Sequence, residues 1–126
     1  MKKILESNRT FSPWVYTVSH SMLVLRSSYG ASKGEDNNID LYFTSVDYMA
    51  IPATFKGLTV EEDSEMKEID LLHRYSPSSD SKVFILTSGG ERYFVIAYRV
   101  SVDTNNLGLM EVGHCIVPPK DPTNYL

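Results

Sequence analysis

Residues 82–103 read KVFILTS-GG-ERYFVIAYRVSVD, two runs rich in β-branched and aromatic residues that meet at Gly89-Gly90. Two adjacent glycines readily take the positive φ values that a type I′ turn requires at both central positions, so the segment is expected to be a β-hairpin. That turn would set Leu86 opposite Tyr93, Ile85 opposite Phe94, Phe84 opposite Val95 and Val83 opposite Ile96. Successive strand residues point to opposite faces, so both faces of this hairpin are apolar. Each must be covered, by a second sheet, by a helix or by another copy of the chain, and the hairpin is expected to lie at the centre of the fold.

C-terminal to the hairpin, Asp103 to Gly108 (DTNNLG) reads as a second polar turn. Beyond it, Met110, Val112, His114 and Ile116 alternate with Glu111, Gly113 and Cys115, which predicts a third strand of an antiparallel meander over Leu109 to Val117. Pro118, Pro119 and Pro122 exclude regular structure from residues 118–126, an expected extended or flexible tail.

N-terminal to the hairpin, Glu61 to Tyr75 (EEDSEMKEIDLLHRY) is the one helical pattern, with Met66, Ile69, Leu72 and Tyr75 recurring at a spacing of three. Asp63 or Ser64 suits its N-cap and the acidic residues suit its positive end, which predicts a short helix near residues 63–75, although Ile69, Leu71 and His73 also fit the alternation of a strand. Gly57 reads as a turn before Leu58-Thr59-Val60, and Pro52 confines its surroundings to a strand end or sheet edge. Ile39, Leu41 and Phe43 alternate with Asp40, Tyr42 and Thr44 as a strand, and the phase slips at Ser45 to Asp47, the mark of a bulge or of a new strand. Ser27 to Asn38 (SSYGASKGEDNN) is a polar loop. Trp14 to Arg26 (WVYTVSHSMLVLR) gives two short strands about a turn at Ser19-His20-Ser21, or one bulged strand, and residues 1–12 are expected as an extended or flexible tail.

With no repeat and no linker in 126 residues, the chain is expected to be a single domain over residues 1–126. Its fold class is mainly β (α+β): an antiparallel β-sandwich or partly closed barrel of seven to eight strands with one short helix.

Sixteen acidic against twelve basic residues give a net charge of −4, and the basic residues are scattered, so nucleic acid is not an expected partner. No segment approaches the run of about 18 apolar residues that spans a bilayer, and the first twelve residues lack a secretory apolar region. With a single cysteine, Cys115, this predicts a cytoplasmic protein with no membrane contact.

No motif in the sequence supplies a cofactor or catalytic centre, and none is expected. Gly89-Gly90 is followed by Glu91, where a phosphate loop needs Lys and a hydroxyl. Asp36, Asn38, Asp40 and Asp47 fall at oxygen-ligand positions of a twelve-residue calcium loop, but Leu41 stands where the sharp turn needs glycine. His114 and Cys115 are strand neighbours facing opposite ways, unsuited to one metal. Ser19-His20-Ser21 places hydroxyls beside an imidazole without a nucleophile elbow, and a triad drawing on Asp40, Asp47 or Asp103 is disfavoured.

The acidic run Glu61-Glu62-Asp63-Ser64-Glu65 is a solvated helix start in its plainest reading. Its functional reading makes Glu61, Glu62, Asp63 and Glu65 a docking surface for a basic protein partner. Three roles follow. The first is a non-catalytic protein-binding module of the immunity or inhibitor type. The second is a small-ligand binder or enzyme with a pocket at one end of the β structure, using His20, His73 or His114. The third is self-association as a homo-oligomer through the two-faced hairpin.

Overall fold

The computed structural model describes residues 1–28, 37–75 and 80–107. Six strands and one helix follow in order: β1 Lys2–Thr17, β2 Met22–Ser27, β3 Asn38–Ala50, β4 Phe55–Glu62, α1 Ile69–Tyr75, β5 Lys82–Ser88 and β6 Glu91–Asn105. The strands close into a barrel in the order β1-β2-β3-β6-β5-β4, with every neighbouring pair antiparallel. Within the ring β4 lies beside β1 while β1, β2 and β3 are sequential neighbours, a Greek-key order. The barrel alternative is therefore the observed one.

The hairpin forms in the register its turn dictates: Leu86 opposes Tyr93, Ile85 Phe94, Phe84 Val95 and Val83 Ile96. Gly89 and Gly90 have φ of 59° and 83°, as a type I′ turn demands. Its two apolar faces are covered differently. Phe84, Leu86, Val95 and Ala97 point into the barrel among Phe11, Phe43, Phe55 and Leu58, where Phe43 and Phe84 meet edge to face at 5.7 Å between ring centres. Val83, Ile85 and Ile96 point outward and are covered by Leu71, Leu72 and Tyr75 of α1.

The phase slip in β3 is a bend shared with its neighbour. Inward residues are three apart on both strands, Phe43 to Val46 on β3 and Val100 to Ala97 on β6, and Ser45 takes a φ of 53°. A bulge follows between Val46 and Tyr48, returning Tyr48 to the outer face.

Several expectations are corrected. Residues 2–12 are not a tail: they form most of β1 and pair with β4 from Lys2↔Glu62 to Phe11↔Phe55, closing the ring. Closure gives those backbone groups ladder partners, and Phe11 is fully buried. Gly57 is not a turn. It lies inside β4 with a φ of 76°, where the β1 register shifts between Ser7 and Thr10, so the glycine accommodates a bulge. Asp103 continues β6, which runs to Asn105 because Asn38 of β3 pairs with it. The strands number six among the described residues because 39–44 and 46–50 are one bent strand and Leu109 to Val117 lies outside the described residues, as does the tail 118–126.

The helix begins six residues later than its predicted start at 63. Met66 adopts a φ of 56°, a left-handed conformation that an α-helix cannot contain, so residues 63–68 form turns and Ile69 opens the helix. Its barrel-facing residues are Leu71, Leu72 and Tyr75, while Met66 and Ile69 are exposed.

Candidate binding surface

On β1, residue Trp14 is the extra residue of a bulge, since Pro13 pairs with Leu25 and Val15 with Val24. A bulge re-aims its side chain, and the Trp14 indole joins the outer cluster of Val24 and Tyr42. Past the bulge, Val15, Tyr16 and Thr17 continue to the β1–β2 turn, whose Ser21 carbonyl accepts a 2.8 Å hydrogen bond from the Val46 amide at the bend of β3. That bond brings the end of β1 beside the end of β3 and the crossover that follows it.

Between them lies an open depression of about 370 Å³ lined by Pro13, Trp14, Val15, Tyr16, Leu23, Met49, Ile51, Pro52 and Ala53. Leu23 belongs to the barrel core and Ile51 packs against it, so they make the floor. Tyr16 and Met49 are 41% and 37% exposed on the rim. No lining residue is charged.

Beside the depression sits a buried polar network that the sequence did not announce. Arg26 and Asp40 oppose each other across β2 and β3, with side chains 1% and 0% exposed. The guanidinium donates Nε–H to Asp40 Oδ1 at 2.7 Å and Nη2–H to Oδ2 at 2.9 Å. Oδ2 also accepts from the Tyr42 hydroxyl at 3.2 Å and from Asn105 Nδ2 at 2.9 Å, and the Arg26 guanidinium lies 5.5 Å from the centre of the Trp14 ring. Asn38 Nδ2 donates to Asn105 Oδ1 and to the Leu107 carbonyl, each at 2.9 Å. Asp40 is thus saturated by protein donors, which excludes it as an oxygen ligand for calcium and as the orienting acid of a triad. Among the described residues no group of three or more His, Cys, Asp or Glu side chains is placed to hold a metal ion.

The four acidic residues expected to form one docking surface are dispersed. Glu61 and Glu62 end β4 opposite Lys3 and Lys2 of β1 and, as strand neighbours, point to opposite faces. Asp63 is 8% exposed and faces inward to its own turn, Oδ1 accepting from the Lys67 amide at 3.0 Å and Oδ2 from the Glu68 amide at 2.6 Å. Asp63 therefore closes the turn that precedes α1 and is not the N-cap its position suggested, because the helix opens only at Ile69. Glu65 Oε1 accepts from the Met1 α-ammonium at 2.6 Å with Lys67 Nζ at 3.8 Å. The ammonium hydrogen bond, then the Lys67 charge, holds the Glu65 carboxyl below its ordinary range. Lys3 is raised by its hydrogen bond to Glu6 and by the charges of Glu6 and Glu61.

His20 is exposed in the β1–β2 turn, its Nδ1 3.0 Å from Ser19 Oγ, and His73 is exposed on α1. His114 and Cys115 lie outside the described residues. No helix among the described residues is long and apolar enough to cross a membrane. No protein-family model matches this chain, and comparison with curated proteins and with solved structures finds no match.

Proposed function

We propose that this chain is a non-catalytic binding module whose partner is a basic protein that seats an apolar side chain in the depression between Trp14, Tyr16 and Met49. The observation that carries this reading is an uncharged, aromatic-rimmed recess open to solvent beside a barrel interior filled by Phe11, Phe43, Phe55 and Phe84. A filled interior turns recognition to the outer surface, and Trp and Tyr on a preformed recess are the residues that anchor protein interfaces. The net charge of −4 favours a basic partner by long-range attraction, with Glu61, Glu62 and Glu65 contributing to encounter more than to the seated contact. The single cysteine fits a reducing compartment, and the cytoplasm is the proposed site of action.

The experiment places a photo-crosslinking phenylalanine analogue at position 16 in the native host, identifies the captured protein and measures its affinity for purified variants by calorimetry. Tyr16→Glu with Met49→Glu is expected to weaken binding at least about tenfold, as loss of an interface anchor does. Charge reversal at Glu61, Glu62 and Glu65 is expected to slow association in a salt-dependent manner. Unchanged affinity in the Tyr16/Met49 variant removes the recess as the site. A loss confined to the charge-reversal variant moves recognition to the acidic segment.

A further inference from the structure

The outer face of β5 and β6 is apolar where a barrel exterior is ordinarily polar. Val83, Ile85 and Ile96 are at most 2% exposed, and Phe94 and Tyr48 extend the patch. Among the described residues, what covers it from outside the sheet is α1, through Leu71, Leu72 and Tyr75. Yet α1 is seven residues long and none of its residues is buried. A helix this short does not persist without support, so it exists only by leaning on the barrel.

The ring needs no residue of α1 for its ladders, whereas α1 needs the ring. Most of the bonds that shape residues 63–72 are internal to the segment: Asp63 accepts from the Lys67 and Glu68 amides, and the Glu68 carbonyl accepts from the Leu71 and Leu72 amides. These would travel with it. The ties to the barrel lie mostly at its exposed margin. Tyr75 stacks on Tyr48 with ring centres 4.1 Å apart and planes 19° apart, Arg92 Nη2 donates to Glu68 Oε1 at 2.7 Å, the Met1 α-ammonium donates to Glu65 Oε1 at 2.6 Å, and the Asp63 and Ser64 amides donate to the Val83 and Glu62 carbonyls at 2.9 and 2.8 Å. The Arg92 and Glu68 side chains are 49% and 28% exposed, so water competes for that pair and it holds weakly. The left-handed Met66 lies inside the turn that the Asp63 bonds close, so it moves with the segment.

We propose that residues 63–75 are a strap that lifts from the barrel as one unit, uncovering the apolar patch of Val83, Ile85, Phe94 and Ile96 while the six-stranded ring stays folded. The strap is a conformational device that conceals this surface in the closed state, and it is independent of the recess at Trp14.

Native-state hydrogen exchange by NMR, repeated at increasing sub-denaturing urea, tests it. The amides of Lys67, Glu68, Leu71 and Leu72 are expected to share one opening equilibrium with one shallow but non-zero urea dependence, exchanging about a hundredfold faster than the paired amides of β5 and β6. Tyr75→Ala is expected to speed the strap amides by about tenfold, the loss of one stacked ring, and to raise bis-ANS fluorescence with the β5 and β6 amides unchanged. The proposal is overturned if strap and ring amides exchange at one rate with one urea slope, or if the strap amides fray individually with no urea dependence. It is also overturned if Tyr75→Ala accelerates both sets alike or prevents folding, because α1 would then belong to the cooperative core.

Discussion

Replacing Asp40 by alanine removes the acceptor of four hydrogen bonds at once: two from Arg26, one from Tyr42 and one from Asn105. The Arg26 side chain, 1% exposed, would keep its charge without its carboxylate. Breaking a buried pair from one side costs about 3–5 kcal/mol, mostly the desolvation of the charge left behind. For a domain whose total stability is about 5–15 kcal/mol this is a large share, and it corresponds to a fall in Tm of roughly 12–20 °C. The double variant Arg26→Met with Asp40→Leu removes both charges and keeps apolar volume on the outer face, so it is expected to recover most of the loss. It still removes the Asp40 acceptor from Tyr42 and from Asn105, whose Nδ2 keeps its bond to Asp103 Oδ2 at 2.8 Å, at about 1–3 kcal/mol. Urea unfolding monitored by circular dichroism on the parent, Asp40→Ala and the double variant measures these values. If Asp40→Ala falls within about 1 kcal/mol of the parent, or the double variant is less stable than the single one, the pair is not desolvated and the reasoning fails.

Three further outcomes are expected. Gly90→Ala places a Cβ where nothing lies within 4 Å, so its cost is the backbone conformation alone at a φ of 83°, about 1 kcal/mol by urea unfolding, and Gly90→Asn costs less. The side-chain carboxyl of Glu65, bonded to the Met1 ammonium, is expected to titrate below the ordinary glutamate range in an NMR pH series. Because that folded value is depressed, its contribution to stability is present above the unfolded value and is lost as pH falls through the folded one; Lys67→Met moves the midpoint upward. Tyr16→Glu, a change at an exposed rim position, leaves the free energy of urea unfolding within about 0.5 kcal/mol of the parent, which separates its effect on binding from an effect on folding.

Features set by local chemistry were legible in the sequence. Gly89-Gly90 determines both the turn and the register of Val83 to Ile96, because a two-residue loop leaves no freedom to slip. The slip in alternation at Ser45 to Asp47 marked a real bend, since the inward spacing changes from two to three there. Features that depend on partners distant in sequence were not. In Lys2 to Phe11 the alternation is broken by two register shifts, between Lys3 and Leu5 and between Ser7 and Thr10, and the pairing strand β4 lies some fifty residues away. The same segment carries Arg9, whose guanidinium donates to Ser27 Oγ at 2.9 Å and to Asn37 Oδ1 at 3.1 Å, a bond set that no local pattern encodes.

Arg26 and Asp40 were each visible on a strand but not as a pair. The loop between β2 and β3 is too long to fix a register, and without the register nothing says that they face one another. The recess at Trp14 escaped for a related reason: a bulge aims the indole, and Met49 to Ala53 reach it through the fold. The acidic run was conspicuous as a composition, but strand alternation, a turn before the helix and the N-terminal ammonium divide its four carboxylates among three different tasks.

Closure of the ring through β1 and β4 is the claim from which the filled interior, the outward binding surface and the separable strap all proceed. Cross-strand NOEs measure it directly. The structure predicts contacts between the backbones of Leu5 and Val60 and of Phe11 and Phe55, with slowly exchanging amides along residues 2–11. Absence of every β1–β4 contact, with those amides exchanging as in a free chain, would contradict a closed barrel.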